Sequence, residues 1–304
     1  MADDIDLGMA GHFISGGFGG MCALITGHPL DTIKLRLQTQ PAAVTGISPI
    51  YSGMADCARK IYLGEGFSGL YKGMLAPLAM AMPISALSFT GFAMGKKLQT
   101  PSGEDGRYSL TQIFLSGMFS ACFFMTVCPA CERVKCLLQA QKSSGQTARF
   151  SGVVDCVRQI YKEAGLVRGL YKGTFITCIR DFPGMGFYFL TYEVVLRSLE
   201  SFRQTETKSK RAPSLMQSCL AGGCAGFGYW SSAIGPDTVK SRLQTAPEGT
   251  YPNGARDVVR EILKKEGVSG FFKGSAPVFL RAMPASAAQF IGFEIAMKFL
   301  HQSS

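Results

Sequence analysis

The chain has 304 residues, with 31 lysines and arginines against 21 acids and a formal net charge of +10. Hydrophobic residues make up 47% and charged residues only 17%. This excludes a disordered basic tail and departs from an ordinary soluble globule, in which about a quarter of residues are charged. Ten cysteines are too few in a chain this long for a small disulfide scaffold.

The amino-terminal MADDIDLG carries three acids and no base, unlike a basic amphipathic presequence or a secretory signal, so targeting is expected to be internal. Residues 8–30 follow without a formal charge, His12 and His28 being the ionisable side chains. Residues 73–95, 108–131 and 212–236 are equally free of charge. Residues 173–192 are apolar except for Arg180 and Asp181, and residues 274–293 except for Arg281. A membrane-crossing helix needs roughly 20 apolar residues, and these runs are too long for barrel strands. Six transmembrane helices are predicted, making an all-α membrane protein.

Three blocks recur in the same order. The first is PLDTIKLRLQ at 29–38, ACERVKCLLQ at 130–139 and GPDTVKSRLQ at 235–244. The second is Tyr51-Ser-Gly-x-x-Asp56, Phe150-Ser-Gly-x-x-Asp155 and Tyr251-Pro-Asn-Gly-x-x-Asp257, each opening a short polar helix. The third is Leu70-Tyr-Lys-Gly73, Leu170-Tyr-Lys-Gly173 and Phe271-Phe-Lys-Gly274. The expected units are residues 1–100, 101–208 and 209–304, together one integral domain. Each is a helix, an amphipathic loop helix and a second helix. The loops 31–72, 132–172 and 237–273 carry net charges of +2, +5 and +2, nearly all of the +10, and alternation of spans puts them on one face.

This threefold pattern resembles the mitochondrial carrier family, whose repeat reads P-x-[DE]-x-x-[KR]-x-[KR]-x-Q followed by aromatic-[KR]-G. The resemblance covers the whole chain. It implies six tilted helices in pseudo-threefold symmetry around a central cavity in the mitochondrial inner membrane, multi-pass, with three short matrix helices. Basic loops would face the matrix. Because the cavity lies inside one chain, a monomer would suffice. Two departures stand out. The family proline is kept at Pro29, but the equivalent positions are Ala130 and Gly235, with Pro129 and Pro236 one residue displaced, so kinks are expected to shift. The base found as Arg36 and Arg242 is Leu137 in the second repeat.

Asp31 and Lys34, Glu132 and Lys135, and Asp237 and Lys240 each stand three residues apart. One reading is a local ion pair on one helix face. The other, which the resemblance implies, is an inter-helix ring closing the matrix side, braced by Gln38, Gln139 and Gln244. The opposite, cytoplasmic gate matches poorly: Phe92-Ala93-x-x-Lys96 lacks its acid, and after Glu193 and Glu294 the bases Arg197 and Lys298 fall one residue late. That closure is expected to be the weaker one.

Seven residues past each Lys-Gly element lie Met80, Arg180 and Arg281, followed by Ala81, Asp181 and Ala282. These equivalent positions break the symmetry, and an intramembrane charge is a functional hypothesis in itself. Arg281 suits a carboxylate, Asp181 a cationic group, and Arg180 either holds Asp181 or shares the carboxylate. Nearby rings such as Tyr188, Tyr229 and Trp230 suit a quaternary ammonium or simple packing. The apolar wall at Met80 suits an acyl chain. His28 is either a substrate-gating or a helix-lining residue.

The stretches GHPLDTIKLRLQTQP, IRDFP and RAMPASAAQFIGFEIAMKFL are similar to the branch of the family that carries carnitine and acylcarnitines. That implies exchange of acylcarnitine for carnitine by alternating access, in support of fatty-acid oxidation. The relatives that carry ornithine and other basic amino acids, and a non-transporting scaffold derived from a carrier, are the alternatives. No cofactor is expected. Cys128-x-x-Cys131 has no second ligand pair, so no metal site is read there. With three histidines and no G-x-S-x-G, H-E-x-x-H or P-loop motif, an enzyme is not expected. The basic loops suit a rim of anionic phospholipid such as cardiolipin, and nothing points to nucleic acid.

Overall fold

The computed structural model describes residues 8–40, 50–102, 107–140, 149–206, 215–247 and 249–303. These form ten α-helices and no strand. Six chain segments are long: α1 (Gly8–Thr39), α3 (Leu75–Lys97), the pair α4 (Leu110–Phe124) and α5 (Cys128–Ala140), α7 (Thr174–Glu206), α8 (Leu215–Thr245) and α10 (Ser275–Ser303). Three are short: α2 (Met54–Glu65), α6 (Val153–Ala164) and α9 (Ala255–Lys265). At about 1.5 Å per residue, the 32-residue α1 runs well past the roughly 30 Å of a hydrocarbon core.

The long segments close into a ring in the order α1, α3, α4–α5, α7, α8, α10. The surface is inverted relative to a water-soluble protein. Leu75, Phe175, Ile291 and Phe299 are exposed, while Asp31, Lys34, Arg180, Asp181, Asp237 and Lys240 are buried. Such a distribution suits a chain whose outer solvent is hydrocarbon. By composition, α3 with its preceding turn (Phe67–Lys97) is apolar enough to cross a membrane, and α4 with α5 passes as one bent span. The other four spans are as long, but glycine, serine and inward-facing charges dilute their hydropathy.

The displaced prolines do not act alike. α1 and α8 continue through Pro29 and Pro236. Between α4 and α5 the helix breaks and turns by 73°. Pro129 there sits in the first turn of α5, where a missing N–H leaves no helical bond unmade. The one-residue shift expected in the second repeat is therefore a full break.

The short helices explain the second repeated block. Asp56, Asp155 and Asp257 each accept the backbone N–H of a residue four earlier, at 3.0, 2.9 and 2.8 Å, and place a negative charge at the helix start. One face of each helix is then buried beneath an odd span. Cys57 and Ile61 pack on Ile33 and Leu37, Cys156 and Ile160 on Val134 and Leu138, and Val258 and Ile262 on Val239 and Leu243. The third block is a turn into the even span. Gly73, Gly173 and Gly274 have φ of 76°, 86° and 81°, and a Cβ on Gly274 would lie 3.0 Å from the carbonyl oxygen of Lys34.

A second threefold device ties the odd spans together. Arg36 Nε donates to the carbonyl oxygen of Gln139 at 3.3 Å, and Arg242 Nε to that of Gln38 at 2.8 Å. Symmetry asks for a base at Leu137. Instead Arg133, one turn earlier on the same face of α5, donates to the carbonyl oxygen of Gln244. Arg36 also pairs with Glu65 at 2.5 Å, joined by Lys72 at 3.0 Å; Arg242 and Lys273 pair with Glu266 at 2.9 and 2.8 Å. Burial alone would raise the Glu65 carboxyl, but hydrogen bonds from Arg36 and Lys72 outweigh it and hold the group at about 2. Glu65 and Glu266 each precede a glycine at the end of a short helix, Gly66 and Gly267; before the equivalent Gly165 the second repeat has Ala164, so arginine and acid are lost there together.

Small residues seal the seams unevenly. A Cβ on Gly19 would lie 2.5 Å from the carbonyl oxygen of Gln289, and one on Gly117 would lie 2.6 Å from that of Met185. Gly222 and Gly226 face open space. Two predictions follow from this packing. Gly117→Val destabilises the detergent-solubilised protein by about 1–3 kcal/mol or more, while Gly226→Ala leaves its thermal midpoint unchanged. Arg133→Leu costs about 1.5–3 kcal/mol, the worth of a hydrogen bond to a charged group. Adding Leu137→Arg with Ala164→Glu restores most of that midpoint.

Candidate functional site

The lysines and acids of the three repeats meet at the centre of the bundle. Lys34 on α1 pairs with Asp237 on α8 at 2.6 Å, Lys240 on α8 pairs with Glu132 on α5, and Lys135 on α5 pairs with Asp31 on α1 at 2.8 Å. Each acid thus meets a lysine of a neighbouring span, and the three pairs form a closed cycle.

Two arginines join the ring from the cavity side. Arg180 on α7 reaches Glu132 at 2.8 Å, Asp237 at 3.0 Å and its neighbour Asp181 at 2.6 Å. Arg281 on α10 reaches Asp31 at 3.2 Å. Every ring acid therefore has one lysine and one arginine, and Arg180 serves two acids because the first repeat supplies none. Arg180 is nearly sealed, with 5% of its side chain exposed, whereas Arg281 keeps 24%. Gly27 makes room for Arg281, since a Cβ there would collide with Nε. Tyr229 donates its hydroxyl to Asp181 at 2.5 Å, and the ring of Trp230 covers Lys34 Nζ at 3.9 Å.

The glutamines do not all brace the ring. Gln38 donates to Asp237 at 3.2 Å and to Thr238 at 3.1 Å. Gln139 is engaged by Thr32 and His28 instead, and Gln244 by the carbonyl oxygen of Lys172. His28 is fully buried, with Nε2 3.0 Å from the carbonyl oxygen of Lys72, and does not line the cavity.

Above the ring lies a cavity of about 470 Å³, lined by Arg180, Asp181, Arg281, Tyr188, Phe189 and the α3 residues Ala81, Ile84, Ser85, Ser88 and Phe89. Met80 is half-buried and lies outside that lining, one residue off the face that Ala81 presents. The α3 wall also carries two hydroxyls that the reading from Met80 does not include. An adjoining apolar slot of about 540 Å³ runs between α1, α3 and α10, lined by Gly16, Gly17, Met82, Phe89 and Phe293.

At the far end the corresponding residues stay apart. Lys96 lies over the rings of Phe92 and Tyr108, at 4.9 and 5.9 Å. Glu193 pairs with Arg197 on its own helix at 2.8 Å. Among the described residues, none of Lys96, Glu193 and Glu294 has an ion pair to another span. The described state therefore has its ring of inter-span ion pairs at the loop-helix end, while Lys96, Glu193 and Glu294 form none at the other.

Cys128, Glu132 and Asp181 bring ligand atoms within 4.8 Å of one another. Both carboxylates are already bonded to Arg180, and Lys240 holds Glu132 as well, so cations of the protein fill that place. Arg133, Gly27, Glu65 and Glu266 are the functional-layer residues that motif reading passes over. The signal for Arg133 is its position one turn before Leu137, and for the acids their loss at Ala164.

Three segments, residues 6–102, 106–202 and 211–304, match the family model described as mitochondrial carrier protein. The chain is 50% identical to the mitochondrial carnitine/acylcarnitine carrier protein of Mus musculus, over 95% of this chain and 94% of that one. It is 48% identical to that of Homo sapiens with the same coverage. It is also 42% identical to mitochondrial magnesium exporter 1 of Drosophila melanogaster, over 93% of this chain and 92% of that one. With its three repeats, its ring of six spans and these matches across nearly its whole length, the chain belongs to the mitochondrial carrier family, transporters of the mitochondrial inner membrane rather than enzymes.

Proposed function

We propose that this carrier exchanges acylcarnitine for carnitine across the inner membrane by alternating access, supplying acyl groups for oxidation. The observation that carries this reading is the cavity floor. A carboxylate and two arginines stand side by side there, and the apolar slot opens beside them. Carnitine has a carboxylate for the arginines and a quaternary ammonium for Asp181 and the ring faces of Tyr188 and Phe189. The slot suits the acyl chain. The names of the mouse and human relatives support the same substrates.

The geometry also supports a route from binding to opening. Arg281 makes one contact to the ring, at 3.2 Å, and is the more accessible arginine. A substrate carboxylate competes with Asp31 for it, and with Glu132 and Asp237 for Arg180. Drawing off Arg281 leaves Asp31 with its lysine alone, and drawing off Arg180 leaves Glu132 and Asp237 so, and the bound substrate thereby lowers the cost of parting the matrix-side ring. In this reading Asp31, Lys34, Glu132, Lys135, Asp237 and Lys240 are the matrix gate, with Gln38 as its brace. Lys96, Glu193 and Glu294 belong to a weaker cytoplasmic gate. An anionic phospholipid at the matrix-side rim is part of the same reading, supported by the hollow lined by Gly53, Lys273 and Gly274. One chain holds the whole pathway, which supports a working monomer.

A divalent cation as cargo, which the Drosophila relative's name raises, is poorly served here. The network holds five cations against four carboxylates, and each of those carboxylates is in an ion pair.

The test is counter-exchange in proteoliposomes, with labelled carnitine outside and carnitine or acylcarnitine inside. Exchange is expected, and Asp181→Asn and Arg281→Ala each reduce it at least about a hundredfold, in line with the cost of leaving a buried charge unpaired. Both variants should still fold, as read by gel filtration and thermal midpoint. Ornithine outcompeting carnitine would transfer the assignment to basic amino acids. No exchange with either compound would leave a scaffold.

A further inference from the structure

Tyr229 stands where the cavity meets the chamber inside the ring, and its side chain lines both. Its hydroxyl donates to Asp181 Oδ1 at 2.5 Å. The same oxygen accepts from Arg180 Nε at 2.6 Å, and Oδ2 accepts from Arg180 Nη2 at 2.9 Å. A carboxylate has roughly four acceptor sites, so three of those on Asp181 are filled. The phenol ring is fixed from two sides. It packs on Gly184, where a Cβ would lie 2.6 Å from it, and it stands edge-on to Trp230 at 5.1 Å.

Ammonium groups differ in what they ask of such a carboxylate. A primary ammonium brings three N–H donors, and each one desolvated without an acceptor is costly. A quaternary ammonium brings no donor. It is held by charge and by ring faces, of which Tyr188, Phe189 and Phe89 line this cavity. Asp181 keeps its negative charge but has lost most of its directed acceptor capacity.

We propose that Tyr229 is a specificity-determining residue: by occupying Asp181 with its hydroxyl, it makes the cavity select quaternary ammonium substrates over primary ammonium compounds of the same shape. This rests on the carnitine reading of the site. It also supplies a physical reason why such a site would reject basic amino acids, whose carboxylates it would otherwise accept.

Carnitine and 4-amino-3-hydroxybutyrate differ only in the three N-methyl groups, so their ratio reads the selectivity. The full chain in proteoliposomes is assayed for labelled carnitine exchange with each compound competing. The wild type is expected to favour carnitine by at least about tenfold. Tyr229→Phe keeps the ring and frees an acceptor on Asp181, and is expected to narrow that preference by about tenfold, the worth of one hydrogen bond to a charged group. Stabilisation of the detergent-solubilised protein against heat by each compound reads the same ratio without turnover, should the variant not cycle. A retained carnitine response with an unchanged ratio in Tyr229→Phe would overturn the role of Tyr229 alone. Absence of both exchange and stabilisation by carnitine in the wild type would overturn the carnitine reading, and this proposal with it.

Discussion

Four carboxylates and five cations share one desolvated volume at the centre of the bundle, and the rest of the structure depends on that arrangement. Removing a charge from water costs several kcal/mol even after relaxation, so none of these groups is tolerable without its partner. Because the partners of Asp31, Glu132 and Asp237 sit on other spans, the requirement for pairing becomes a requirement for helix position. Three spans are drawn together at one end, and α7 and α10 follow through Arg180 and Arg281. Yet a buried ion pair is close to neutral overall, its attraction offsetting its desolvation. The ring therefore fixes geometry strongly while adding little net stability, and under the proposed exchange cycle a closure that opens repeatedly needs both properties.

The frame is symmetric and the site is not. The short helices recur three times because each packs against the odd span of its own repeat, and the glycine turns and arginine-to-carbonyl bonds recur because each ties one repeat to the odd span of the next. Their partners lie within or next to the repeat, so the same chemistry works in each copy. The cavity floor has no such reason to repeat. The proposed substrate, with a cationic end, an anionic end and an apolar tail, would contact three walls that must differ. This agrees with Ala81 facing the cavity where the second repeat supplies its equivalent, Asp181, while the third repeat contributes Arg281 one position earlier. The asymmetry reaches the ring as well, since Arg180 has to cover two acids.

The spans, the order of the repeats and the ring residues were legible because they are marked by absence of charge and by recurrence, which survive in one sequence. The glutamines were not, because hydrogen-bond choice depends on competitors. Gln139 meets a buried histidine and a threonine, where Gln38 meets an acid. Met80 misleads by one residue, since counting from the Lys-Gly turn gives equivalent positions but not which side chain a tilted helix turns inward. His28 draws notice as an ionisable residue beside a proline, but its surroundings make it a bridge between α1 and the turn before α3. The break at residues 125–127 was hidden because Pro129 marks the place without stating whether the helix bends or stops.

The second repeat departs from the other two in sequence while keeping the contact across its seam. Leu137 alone reads as a missing contact, and Ala164 alone as an ordinary loop residue. Together they record the removal of a whole ion pair, and that is the tolerable change. Removing only the arginine would leave a carboxylate equivalent to Glu65 with the turn lysine alone, and removing only the acid would strand the arginine. The carbonyl of Gln244 still required a donor, and Arg133 supplies it from one turn away. The hydrogen bond across the α5–α8 seam is thus kept in this chain from a different position than in the other two repeats. The same logic holds at Asp181, where what matters is which donors have already claimed the carboxylate.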